Sequence, residues 1–138
     1  MLKEILAISG QGGLFKSISQ TKNAIIVESL LDGKRMPAYA SSRISALEDI
    51  SIFTDEGDIK LIEVFKRIHE KENGAKSLDS KKASSDQLKS YFAEVLPEYD
   101  RDRVYISDIK KVFAWYNLLV DKSLLDFSQE EPLEPEQN

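Results

Sequence analysis

Apolar residues follow two patterns along this chain, and one gives way to the other near residue 58. Over the first 57 residues they come in short runs with a repeat near two. That is the period of a strand whose successive side chains face opposite sides. Leu6–Ser9 is apolar and runs into Gly10-Gln11-Gly12-Gly13, after which Leu14, Lys16 and Ile18 alternate with Phe15, Ser17 and Ser19. Ala24–Leu31 is rich in β-branched residues and too short for a typical helix. Asp32-Gly33 predicts a type I′ turn, and Lys34–Ala40 the return strand, with Pro37 suited to an edge or a bulge. Ile44–Asp49 reads as one helical turn. Ile50–Thr54 alternates again as a fifth strand, ended by Asp55-Glu56-Gly57-Asp58. Five short strands in this length predict a small curled antiparallel β-barrel over residues 1–57.

The repeat then lengthens to that of a helix. Leu61, Val64, Phe65 and Ile68 fall on one helical face, and Asn73-Gly74 supplies the stop, so residues 58–74 read as a helix. Residues 75–83 are small, polar and lysine-rich, the composition of a linker. Ser84 and Gln87 have capping-box spacing, and Leu88, Tyr91, Phe92, Val95 and Leu96 follow on one stripe until Pro97. Ser107 or Asp108 is expected to cap a third helix reaching about Lys122. Its inward face is Ile109, Val112, Phe113, Tyr116, Leu119 and Val120, with Trp115 and Leu118 pointing elsewhere. The fold class is therefore α+β: the barrel, a helix, and a helical pair over residues 84–127 packed antiparallel.

Composition narrows the chemistry. The 138 residues contain no cysteine, which excludes disulfides, zinc–thiolate sites and a cysteine nucleophile. No stretch approaches the ~18 apolar residues of a membrane span, and no signal-peptide pattern is evident, so a cytoplasmic protein is expected. The net charge is −5. Residues 128–138 hold four glutamates and no base, so that tail, expected to be disordered, carries most of it. The remaining body is nearly neutral, unlike the strong basic face of a nucleic-acid binder.

No constellation of catalytic residues is apparent. The glycine cluster at Gly10–Gly13 lacks the third glycine of a dinucleotide fingerprint, where Phe15 stands, and the G-K-[ST] of a P-loop. His69 is the single histidine; Glu63, Lys66 or Glu72 could lie near it, which is ordinary surface company, and its spacing supplies no metal-ligand set. Asp100-Arg101-Asp102-Arg103 lacks the glycine and distant glutamate of a calcium loop and reads as ion pairing. The stretch Lys66 to Lys82, with Lys76 and Lys81, is interrupted by Glu70, Glu72 and Asp79. It has no aromatic platform for a base. Trp115 and Leu118 form an apolar pair off the core face, to be covered by the barrel or by another chain, a homodimer contact included.

Several segments together resemble a small uncharacterised bacterial family. They are Ile8-Ser9-Gly10 with Gly13-Leu14-Phe15-Lys16, Ile26–Leu30 with Gly33-Lys34-Arg35, Glu72–Lys76, Tyr91–Pro97, and Asp100–Tyr105 with Asp108–Lys111. The resemblance covers residues 1–127 and implies an SH3-like N-terminal barrel and a helical C-terminal part, both domains of unknown function. It implies no activity, cofactor or catalytic residue.

The functional expectation is a non-catalytic binding or adaptor protein with a protein partner and no cofactor or metal. Its candidate contacts are Trp115, Leu118, Lys66, Lys76, Lys81 and Lys82. One alternative is a nucleic-acid-binding module using the barrel and Lys66–Lys82. Another is a small enzyme built on carboxylates such as Glu28, Asp32, Asp100 or Asp102.

Overall fold

Alternation in the first third of the chain produces a sheet with two buried faces. The computed structural model describes residues 4–39 and 42–125, so the expectation for the acidic tail lies outside the described residues. Strands β1 (Ile5–Ile8), β2 (Phe15–Gln20), β3 (Ala24–Ser29), β4 (Arg35–Tyr39) and β5 (Ile44–Ala46) form one antiparallel sheet in the order β4-β3-β2-β1-β5. Adjacent residues Leu14 and Phe15 point to opposite sides and enter different cores. Ile8, Phe15, Val27 and Ala38 form a small cluster inside the curl of the sheet. Ile5 and Leu14 join the main core against the helices. Pro37 lies on β4, at the sheet edge, where its missing N–H costs no ladder bond.

The fifth strand is not the expected one. Ile44–Ala46 pairs with β1, Ile8 opposite Ile44 and Leu6 opposite Ala46, where a helical turn was expected. Only Leu47–Asp49 forms a 3-10 turn. Ser51–Thr54 (β6) instead makes a separate hairpin with Gly57–Lys60 (β7). Local alternation cannot distinguish these outcomes, because both segments alternate and the choice of partner is non-local. The β3–β4 turn also differs from type I′. Gly33 is left-handed at φ 76°, Asp32 is not, and the Asp32 side chain accepts from the Lys34 N–H at 3.0 Å.

Helices α1 (Leu61–Lys71), α2 (Ser85–Val95) and α3 (Ile106–Asp121) bury the predicted stripes except at Tyr91 and Val120, which are half-buried at the edge of the core. Phe65, Phe92, Phe113 and Tyr116 are fully buried in the main core. Each such side chain stabilises the fold by about 1.5–3 kcal/mol relative to exposure. The capping box of α2 is formed: the Gln87 N–H donates to Ser84 Oγ at 3.1 Å and the Ser84 N–H to Gln87 Oε1 at 2.8 Å. Helix α3 begins earlier than expected, with Tyr105 at the cap position. Asp108 acts from inside the first turn, accepting from the Tyr105 N–H at 3.0 Å. The β6–β7 hairpin is tied to the loop after α2 by Asp55 N–H to Glu98 O (2.9 Å) and Asp100 N–H to Phe53 O (3.0 Å). No helix among the described residues is long and apolar enough to cross a membrane.

Residues 75–83 are docked on α3, unlike a solvated linker. Asn117 clamps them: its Oδ1 accepts from the Ser77 N–H at 2.7 Å, and its Nδ2 donates to Leu78 O at 2.9 Å. The Tyr116 hydroxyl donates to Ala75 O at 2.7 Å, and Leu78 packs on the main core. Small polar composition hid this, because the partners are supplied by a helix some 40 residues away in sequence.

Candidate interaction cleft

A cleft of about 820 Å³ opens where the glycine loop of the sheet faces helix α3. Its sheet wall follows from the turn chemistry between β1 and β2. Gly10 and Gly13 are left-handed, at φ 83° and 72°. The Ser9 N–H donates to Arg43 O at 2.9 Å, which brings the segment before β5 to the loop. Leu31 crosses Gly13 so closely that a Cβ there would lie 2.7 Å from its Cγ. Leu31 is nonetheless 59% exposed, on the cleft side. Gly12 differs: its φ is not left-handed and a Cβ would meet nothing within 4 Å.

The helical wall comes from one face of α3. Lys111, Trp115 and Leu118 are spaced by four and three residues, so they stack along that face. Trp115 and Leu118 are half-buried and rest on the main core. Lys81 reaches the cleft from the docked 75–83 segment. A second hollow of about 240 Å³, lined by Phe53, Arg103 and Asp108, lies next to the first. Ile50, Lys111 and Trp115 border both.

Electrostatically the larger cleft is one-sided. Arg43, Lys81 and Lys111 line it, all exposed, and none of its described lining residues carries a carboxylate. Of the predicted contacts, Trp115, Leu118 and Lys81 meet here. Lys66, Lys76 and Lys82 do not line it: Lys76 is ion-paired with Asp121 at 3.3 Å, Lys66 lies on α1, and Lys82 is exposed beside Lys81. Sequence reasoning missed Arg43 and Lys111. Helical spacing from Trp115 signals Lys111, whereas Arg43 is placed by a non-local bond.

Three of the four candidate carboxylates, those of Glu28, Asp32 and Asp100, are engaged in local bonds. Glu28 pairs with Arg35 at 2.9 Å across β3 and β4, and Asp32 closes its turn. Asp100 pairs with Arg103 at 2.8 Å, and that bond to the guanidinium holds its carboxyl below the ordinary range. Asp102 donates its N–H to Asp100 Oδ1 at 2.9 Å. His69 sits by the turn ending α1, where a Cβ on Gly74 would approach its Nε2 to 3.5 Å. On the far side of the helices, Glu72 Oε2 accepts from Ser77 Oγ at 3.0 Å and from the Tyr91 hydroxyl. Burial, and then that bond to Glu72, raise the Tyr91 pKa. Burial, and then the Glu72 charge, push Tyr116 up to about 12.

Residues 50–119 match the family described as Domain of unknown function (DUF6852). The chain belongs to that family. Residues 2–47 match a second Domain of unknown function (DUF5606), so the two matches meet at the 3-10 turn between β5 and β6. A solution NMR structure of a structural genomics target from Bacteroides vulgatus is 48% identical, with a TM-score of 0.75, covering 97% of this chain and 98% of that one. No curated protein matches the chain.

Proposed function

We propose that this is a non-catalytic binding protein whose cleft receives an acidic segment of a protein partner, one that also carries apolar side chains. The charge of the cleft carries the reading: three cations and no carboxylate among its described lining residues. Acidic side chains would meet Arg43, Lys81 and Lys111 in charge-assisted bonds. Apolar ones would cover Trp115, Leu118 and Leu31, whose burial supplies the non-ionic part of the affinity. The volume lies in the usual ~300–1,000 Å³ range for ligand clefts, room for a few residues of extended chain. Strand order, with β5 returning to β1, suits a small SH3-like barrel, and its use as a binding platform is an argument by analogy.

The test is a fluorescence-polarisation titration against synthetic acidic peptides that each bear a Phe or Leu, at about 50 and about 300 mM salt. Binding at low salt, weakened about tenfold or more by high salt and by Lys111→Glu, is the expected result. No binding by any peptide, or tighter binding of a single-stranded oligonucleotide than of every peptide, would overturn it.

A further inference from the structure

We infer, on the cleft reading given above, that the partner's segment binds as an added β-strand on the open outer edge of β6, its backbone pairing with Ser51 and Phe53.

The register of the β6–β7 hairpin decides which backbone groups face outward. The Leu61 N–H donates to Ile50 O at 2.9 Å, and Ile52 opposite Ile59 and Thr54 opposite Gly57 continue the same alternation. In an antiparallel ladder every second residue turns its N–H and C=O to the partner strand, and the residues between turn theirs away. Ile52 and Thr54 therefore serve β7, while Ser51 and Phe53 face the other side. That side already takes a strand at one end: Thr54 bridges Tyr99, and the Asp100 N–H donates to Phe53 O at 3.0 Å. The pairing stops there. Asp100 O, which a continued ladder would offer to the Phe53 N–H, accepts instead from the Val104 N–H at 2.9 Å as the chain turns toward α3. Among the described residues nothing bonds to the Ser51 N–H, the Ser51 C=O or the Phe53 N–H.

Three backbone groups with strand spacing are thus left beside the hollow of about 240 Å³, which Ser51 and Phe53 line together with Val112 and Trp115. Ile50, Lys111 and Trp115 border both this hollow and the cationic cleft, so a segment paired here runs on into that cleft. Nothing guards the edge. Ser51–Thr54 carries neither a charge nor a proline, whereas Pro37 blunts the β4 edge of the larger sheet. An extended chain is what these groups recognise, because it presents N–H and C=O at the matching spacing. Its side chains alternate in facing. Apolar ones suit the hollow, where the one carboxylate among the described lining residues, Asp108, is held by the Tyr105 N–H at 3.0 Å. Acidic ones suit the outer face, where the Arg103 guanidinium lies over the Phe53 ring at 4.2 Å.

The test titrates the full chain with acetylated, amidated octapeptides alternating Glu with Leu or Phe, at about 50 mM salt. Deuterium exchange at the Ser51 and Phe53 amides should slow about tenfold or more in the complex. N-methylation of the peptide, one residue at a time, should weaken binding about tenfold at every second position and less than about threefold between. Ser51→Pro should weaken binding about tenfold while Ser51→Ala does not. The proline fits, because Ile50 before it is already extended at φ −80° and ψ 138°. Binding with no alternation in the N-methyl series and no slowing at either amide overturns the inference and leaves the cleft reading standing. So does failure of the alternating peptides where other acidic peptides bind. If no acidic peptide binds, both readings fall.

Discussion

Replacing Asn117 by alanine tests whether residues 75–83 are held by the helix or merely pass over it. The change removes two hydrogen bonds at once, from the Ser77 N–H at 2.7 Å and to Leu78 O at 2.9 Å. A net protein hydrogen bond contributes about 0.5–1.5 kcal/mol, and a buried group left unpaired costs about 1–3 kcal/mol. Ser77 and Leu78 are half-buried, so water restores part of the loss. The expected destabilisation is thus about 1–3 kcal/mol, read as a shift in the urea midpoint with an unchanged slope. Trypsin supplies a local readout, because Lys76, Lys81 and Lys82 all lie in the clamped segment. Cleavage there should accelerate in Asn117→Ala by more than global stability predicts. Asn117→Asp, which keeps an acceptor for the Ser77 N–H, should fall between the two. A variant within about 0.5 kcal/mol of the parent, with the same cleavage rate, would refute the clamp and return the segment to a solvated linker.

Adjacent glycines should behave differently. Gly13→Ala meets both a left-handed φ and Leu31, and should cost about 1–2 kcal/mol in denaturant unfolding. Gly12→Ala should leave stability unchanged, since nothing within 4 Å opposes its Cβ. Ser84→Ala removes the α2 cap and should cost about 1 kcal/mol, measurable as a lower Tm. Stability should fall as pH rises from about 10 to about 12, because Tyr91 and Tyr116 both stay protonated in the folded chain after the unfolded chain's tyrosines ionise. Tyr116→Phe should flatten that part of the Tm-versus-pH curve. Trp115→Ala should leave the mass by light scattering unchanged and cost about 2 kcal/mol, less than the about 3–5 kcal/mol of a fully buried aromatic, because Trp115 is only half-buried.

Helical stripes were legible because a 3.6-residue repeat is enforced within the helix itself. Leu61, Val64, Phe65 and Ile68 bury as their spacing requires, and Ser84 with Gln87 closes the cap that their separation allows. Strand existence was legible for the same reason, while strand partnership was not. Ile44–Ala46 and Ser51–Thr54 offer similar alternation, yet only the first finds β1. Three contacts of the cleft were visible in the sequence: Trp115 and Leu118 as an apolar pair off the core stripe, and Lys81 as part of the Lys66–Lys82 stretch. Their meeting with Arg43 and the glycine loop depends on how the sheet lies against α3, which no local spacing encodes.

The main core takes Ile5, Leu14 and Leu47 from one side of the 48–49 boundary between the two matched segments, and Phe65, Phe92 and Phe113 from the other. The sheet covers Ile8, Phe15, Val27 and Ala38 by itself, but Ile5, Leu14 and Leu47 are covered in the core they share with the helices. Losing one segment would expose the side chains the other buries with it, which favours keeping the pair on one chain. The same logic makes the protein a natural split reporter. Severed between Asp49 and Ile50, fragments 1–49 and 50–138 should be poorly structured apart and regain the native circular dichroism spectrum when mixed.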